Sequence, residues 1–319
     1  MSWNQLDTWI VITAALVSMA CALPGVFLVL SRQSMMAHGL SHAVLPGIVV
    51  AYLVSGGIHT PTLVAGALVA GVLCATLTRA LQEAASIDPG TASGISFTTL
   101  FALGLVLQRL FADHAHIEAS HVLYGNLELS ILDVLFQGSA FPAAARRALL
   151  GLALNAGLVL FLFKELRIAT FDPQHAAAVG ARPRLVEYLL VSSSAFTCVL
   201  AFESVGSILV VAMMIVPPAF ASLFARDLRE MIALSLGFGV AASLLGHVLS
   251  RGPLGNATAA VIGFGPAGST NTAGGIAATA GLLLLAGTVA RVLWDRRRPG
   301  WPSAVPGEAG RLPSGPARP

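Results

Sequence analysis

The sequence predicts an all-α fold, a polytopic bundle of about eight or nine membrane-spanning helices. Three observations predict it. Of 319 residues, 56% are hydrophobic and 10% charged, and the mean hydropathy is +0.81. A soluble domain carries about 25% charged residues, so this chain lacks the polar groups to clothe a water-facing surface of ordinary size. The apolar residues also fall in blocks of bilayer-crossing length, roughly 20 residues at about 1.5 Å each. Those blocks run almost without pause from Trp9 to Trp294, which argues for one membrane domain.

In chain order the expected spans are 9–30, 35–57, 61–81, 93–112, 148–165, 185–203, 206–225, 230–249 and 274–294. Pro46-Gly47 interrupts the second and Pro217-Pro218 the seventh. Such breaks are tolerated where neighbouring helices or a cavity take up the freed backbone groups. The stretch 129–147 is too broken and charged to assign to a span. Residues 1–294 therefore read as the transmembrane domain, and the Pro-, Gly- and Arg-rich residues 295–319 as a disordered basic cytoplasmic tail.

Nine spans with the N-terminus outside put Arg32, Arg79, Lys164, Arg167, Arg182, Arg184, Arg226, Arg229 and Arg291 on inner connections. Only Arg109, Arg146, Arg147 and Arg251 fall outside. Cytoplasmic loops carry the excess of Lys and Arg, so this is the expected orientation. Arg32 is the first positive charge, and no basic region of a cleaved signal peptide precedes the first block.

Several function classes are excluded. The net charge of +3 comes from scattered arginines and one lysine, Lys164, so no basic face exists to lie along a nucleic acid. Cys21, Cys74 and Cys198 each lie inside an apolar block and read as small core residues. No GxxxxGK[ST] loop occurs, so the chain does not hydrolyse ATP by itself. No GxSxG nucleophile elbow occurs either. Glu203 stands out as a carboxylate near a span interior, either lining a pathway or sitting at the outer interface.

Three stretches carry chemistry. In Met35-Met36-Ala37-His38-Gly39-Leu40-Ser41-His42-Ala43-Val44-Leu45-Pro46-Gly47, His38 and His42 are four apart. On a helix they share a face and can hold one divalent cation. Imidazole suits zinc, manganese, iron and copper better than calcium or magnesium. The alternative makes both histidines helix-end residues bonded to backbone carbonyls. The glutamate of HExxH is missing, which argues against a membrane-embedded metalloenzyme.

A second cluster, Asp113, His114, His116, Glu118, His121, Glu128 and Asp133, lies in the long outer connection. It either gathers cations or is simply a solvated loop. The third is Phe171-Asp172-Pro173-Gln174-His175-Ala176-Ala177-Ala178-Val179-Gly180. Asp172 is a good N-cap, Pro173 a good first helical residue and Gly180 a good stop. A short helix on the cytoplasmic face is expected there, serving as a connector or as a docking knob.

Ser41-His42-Ala43-Val44-Leu45-Pro46-Gly47 resembles the signature of the ABC-3 family of permeases, the membrane subunits of ATP-driven manganese, zinc and iron importers. Similar family stretches follow in order: Phe97–Gly104, Val122–Gly125, Phe171–Pro173 with Ala176 and Gly180, and Val205–Val211 running to Pro217. The run Ser269–Gly275 looks like the manganese and iron chelate subgroup, and the resemblance covers roughly residues 10–294.

The resemblance implies an importer permease in a bacterial cytoplasmic membrane. The chain would bind no cofactor of its own, and its cargo would be a divalent metal ion. Its implied partners are a cytoplasmic ATP-binding subunit, an extracytoplasmic metal-binding protein, a second copy or sister permease, and membrane lipid. It makes His42 a metal ligand in the translocation path, with His38 at a position that the family usually gives to aspartate. A second imidazole there tilts preference from manganese toward softer metals. Phe171, Asp172, Pro173, Ala176, Ala177 and Gly180 match the element that couples to the ATPase. A secondary metal transporter or channel acting without an ATPase is the competing expectation.

Overall fold

The computed structural model describes residues 4–57, 60–111, 127, 141–251 and 271–296. Twelve helices and no strand occur among them: α1 (Gln5–Leu30), α2 (Ser34–Ala43), α3 (Leu45–Ser55), α4 (Thr60–Ala85), α5 (Pro89–Phe111), α6 (Ala143–Phe161), α7 (Phe163–Phe171), α8 (Pro173–Ala178), α9 (Pro183–Val205), α10 (Ser207–Phe224), α11 (Leu228–Arg251) and α12 (Thr272–Arg296). Among the described residues nine stretches are long and apolar enough to span a membrane, with α2 and α3 together forming one of them. The chain is an all-helical, multi-pass membrane protein.

Most expected spans recur with ends shifted by a few residues, and three departures have local causes. The second span breaks at Val44, because Pro46, two residues on, lacks the N–H for an unbroken helix. The fifth begins at Ala143, inside the stretch left unassigned, and stops at Leu162, where the backbone turns out of helical geometry (φ −106°, ψ 20°) before α7. Pro217-Pro218, expected to interrupt its span, lies inside an unbroken α10. Pro218 leaves the Met214 carbonyl without its helical donor, and that oxygen lies against Gly25 of α1, where any Cβ would collide with it.

Helix α1 is the centre of the bundle, packed by α6, α9, α10 and α11. Val17, Cys21, Val26 and Phe27 from α1 join Cys198, Val210, Met213 and Met214 in the main core. Few polar side chains link the helices in this apolar setting. The Asn155 side chain of α6 donates to the Ala20 carbonyl and to Thr197 Oγ1 of α9, both at 2.7 Å. A second subdomain of packing joins α3, α4 and α5. There α3 and α4 touch backbone to backbone, since a Cβ on Gly47 would strike the Gly66 carbonyl and one on Gly66 the Gly47 carbonyl. With lipid tails as apolar as leucine, such small-residue approaches drive helix association.

Contacts sort the helix ends into two groups. At one end Trp9 of α1 meets Phe141 edge-on at 5.1 Å. Asp7, wholly buried in the first turn of α1, lies 3.3 Å from His247 Nε2 near the end of α11. At the other end Gln33 after α1, Arg79 and Glu83 of α4, and Arg184 and Glu187 of α9 are linked by hydrogen bonds and ion pairs. The α7–α8 segment and the turn between α10 and α11 share a cleft at this same basic end. The acidic and histidine cluster from Asp113 to Asp133, the Val122–Gly125 and Ser269–Thr270 motifs, and residues 297–319 lie outside the described residues.

Candidate functional site

Helix α2 has two unlike faces. Met36 and Leu40, four apart, bury against Ala75 of α4 and Val191 and Ala195 of α9. His38 and His42, offset by two residues and so by roughly 200°, face α5 instead. Their rings are T-shaped with centroids 5.1 Å apart. Two imidazoles on one tetrahedral ion, with metal–nitrogen bonds of about 2 Å, place their centroids about 5 Å apart, so the spacing suits a shared cation. Phe97 of α5 packs 5.8 Å from His38 and 6.3 Å from His42, and Phe101 lies 5.1 Å from His42. The phenyl rings fix the imidazoles on one side.

His38 is exposed on this single chain and His42 half-buried. Among the described residues neither ring makes a hydrogen bond, and the His38 carbonyl is taken by Ser41 Oγ at 2.6 Å. The helix-end alternative, with rings bonded to backbone carbonyls, thus finds no support in these contacts. Among the described residues no third His, Cys, Asp or Glu completes a metal cluster. The pair supplies two nitrogens, and an ion seated there needs further ligands from water, from backbone or from another chain.

The second feature is α8. Its start and stop follow the sequence reading closely. Asp172 Oδ1 accepts from His175 N at 2.8 Å, and Pro173 occupies the first helical turn. At the other end Ala181 N donates to Ala176 O and Gly180 N to Ala177 O, with Gly180 at φ +84°. This is the paired C-terminal closure that favours glycine. Only Ala176 of the helix is buried, while Ala177 faces out and Phe171 and Val179 on its flanks are 62% and 57% exposed.

Beside α8 opens a cleft of roughly 690 Å³, bounded by Phe163, Arg167, His175, Arg226 and Arg229 among others. Arg229 stacks over Phe163 at 5.8 Å. The α11 N-terminus is closed reciprocally, Asp227 accepting from Glu230 N and Glu230 from Arg226 N, both at 2.7 Å. Capped helix ends, the exposed Phe171 ring and three guanidinium groups thus meet around one cleft.

Sequence reasoning missed two constellations. Asp7, at the polar start of the first span, is a buried carboxylate beside His247. The 240-residue separation left no local signal for this pair. The Gln33–Arg79–Glu187 cluster was likewise invisible, because each member reads as an ordinary polar residue at a span end.

A bundle of membrane spans with a histidine pair inside one span and a capped short helix at its basic end defines a membrane transport subunit of the permease class. The model of the ABC 3 transport family matches residues 5–264, and the chain belongs to that family. It is 36% identical to the manganese transport system membrane protein MntD of Bacillus subtilis over 245 residues, which span 76% of this chain and 83% of that protein. It is 40% identical over 212 residues to the zinc transport system membrane protein TroD of Treponema pallidum, across 65% of this chain and 57% of that one. Among solved structures, PsaBC from Streptococcus pneumoniae in complex with Fab superposes with a TM-score of 0.69 at 28% identity, covering 92% of this chain and 96% of that chain.

Proposed function

We propose that the chain is the permease subunit of an ATP-binding cassette importer carrying a divalent transition metal, manganese, iron or zinc, across the bacterial cytoplasmic membrane. Its relatives named for manganese and zinc transport support the cargo class. The observation that carries the reading is the layout of α2, whose apolar face is held by α4 and α9 while two imidazoles share the other beside Phe97 and Phe101.

In this reading His42 and His38 hold the ion in transit. Polar side chains inside a span are costly and mark ion pathways, and the exposure of His38 leaves room for ligands from a second permease copy or sister permease. An extracytoplasmic metal-binding protein delivers the ion. The energy comes from a cytoplasmic ATP-binding subunit that seats on Phe171, Asp172, Pro173, Ala176, Ala177 and Gly180, with the cleft beside Arg226 and Arg229 completing the seat.

Co-purification tests it. The intact complex, solubilised and isolated through this chain, should contain a small ATPase, and Ala177→Glu should release that ATPase while leaving the permease in the membrane. A permease that accumulates Mn(II) with no ATPase bound would instead establish a secondary transporter.

A further inference from the structure

We infer that Glu187 is the positioning residue through which the docking helix moves the histidine-bearing helix, with Gln33 and Arg79 as its two arms. The inference rests on the permease reading above and adds a specific route for the coupling.

Helix α8 leads through Gly180 into α9, whose first turns carry Arg184, Glu187 and Tyr188. Glu187 is the meeting point of three elements. Its Oε1 accepts from Gln33 Nε2 at 3.2 Å, and its other oxygen pairs with Arg79 of α4. Gln33 is the N-cap residue of α2, five residues before His38. The Arg79 guanidinium lies over the Tyr188 ring at 5.8 Å, so α4 is gripped by two successive residues of α9. Arg79 and Glu187 are only 23% and 24% exposed, which limits screening by water. The neighbouring Arg184–Glu83 pair, at 73% and 62%, is a surface pair that contributes little.

Directly beyond this polar cluster, Met36 and Leu40 of α2 pack on Ala75, Val191 and Ala195. A close-packed interface transmits displacement instead of absorbing it. α2 is therefore tied to α9 twice, by its cap and by its apolar face, while its histidine face is free of both. A shift of the first turn of α9, driven by the ATPase on α8, turns α2 about its axis. His38 and His42 on the opposite side then swing against Phe97 and Phe101. The geometry makes Gln33 the link specific to α2, and Arg79 the link to α4.

The test uses the complete importer in proteoliposomes, with Mn(II) and, in parallel, Zn(II), and reads metal transported per ATP hydrolysed. Gln33→Ala removes the α2 arm and leaves the ion pair intact. It should lower the ratio by about tenfold, the factor expected from losing one hydrogen bond to a charged group, with the ATPase still bound. Gln33→Lys restores a donor to Glu187 and should recover the ratio. A wild-type ratio in Gln33→Ala, or a loss that Gln33→Lys does not recover, overturns the relay. His42→Ala is run beside them. If it transports no metal while Gln33→Ala is normal, the relay alone is wrong. If His42→Ala transports normally, the ion path does not run along α2 and the relay falls with it.

Discussion

Replacing Asp172 with alanine should weaken the seat of the ATPase without touching the histidine pair. The structure sets the magnitude. Asp172 Oδ1 accepts one hydrogen bond, from His175 N at 2.8 Å, and that bond closes the start of a six-residue helix. A helix this short has too few backbone bonds to be stable alone. Losing an N-cap costs about 1 kcal/mol, or roughly a fivefold drop in the population of the formed helix. The seat should therefore weaken by about that factor. Asp172→Asn is the decisive control, because asparagine caps as well as aspartate. The assay is the affinity of the purified ATPase subunit for permease in nanodiscs, followed by metal-stimulated ATP hydrolysis of the pair. Alanine weak and asparagine near normal supports capping. If asparagine is as damaging as alanine, the carboxylate charge matters and the capping argument is wrong. If alanine is harmless, the partner engages another inner surface, of which the turn at Arg226 and Arg229 is the nearest.

Three further outcomes follow from the packing. Ala177→Glu places a charge on the exposed side of α8 and should abolish metal-stimulated ATP hydrolysis with Mn(II) binding retained, measured on one reconstituted sample. Gly47→Leu drives a side chain into the Gly66 carbonyl; overpacking of this kind costs about 1–3 kcal/mol, so the detergent-solubilised protein should melt earlier in a thermal unfolding scan. His247→Ala removes a partner from buried Asp7 and should destabilise by about 1–2 kcal/mol, near the upper range for polar contacts within membranes, by the same measurement.

Much of the fold was legible because a bilayer-spanning helix announces itself in a single stretch of sequence. The caps of α8 were equally legible, since Asp172, Pro173 and Gly180 act within a few residues of themselves. The histidine pair was readable from its i, i+4 spacing, although only the structure revealed Phe97 and Phe101 beside it. Three things were not readable. The Leu162 break has no Gly or Pro to mark it, only a continuous apolar run. The close approach of Gly25 to the Met214 carbonyl in the helix through Pro217-Pro218 joins residues nearly two hundred apart in sequence. Asp7 with His247, and Gln33 with Glu187, are side-chain meetings decided by how helices cross. Periodicity and propensity say nothing about them.

The central claim is that His42 carries the ion, and uptake by whole cells tests it most directly. Cells producing the complete importer with His42→Ala should accumulate no Mn(II) or Zn(II) above background, while immunoblots find the permease in the membrane with its ATPase attached. His38→Ala should retain part of the uptake, because one imidazole remains. Undiminished accumulation by His42→Ala, with the protein present and assembled, would contradict the account and move the translocation path away from α2.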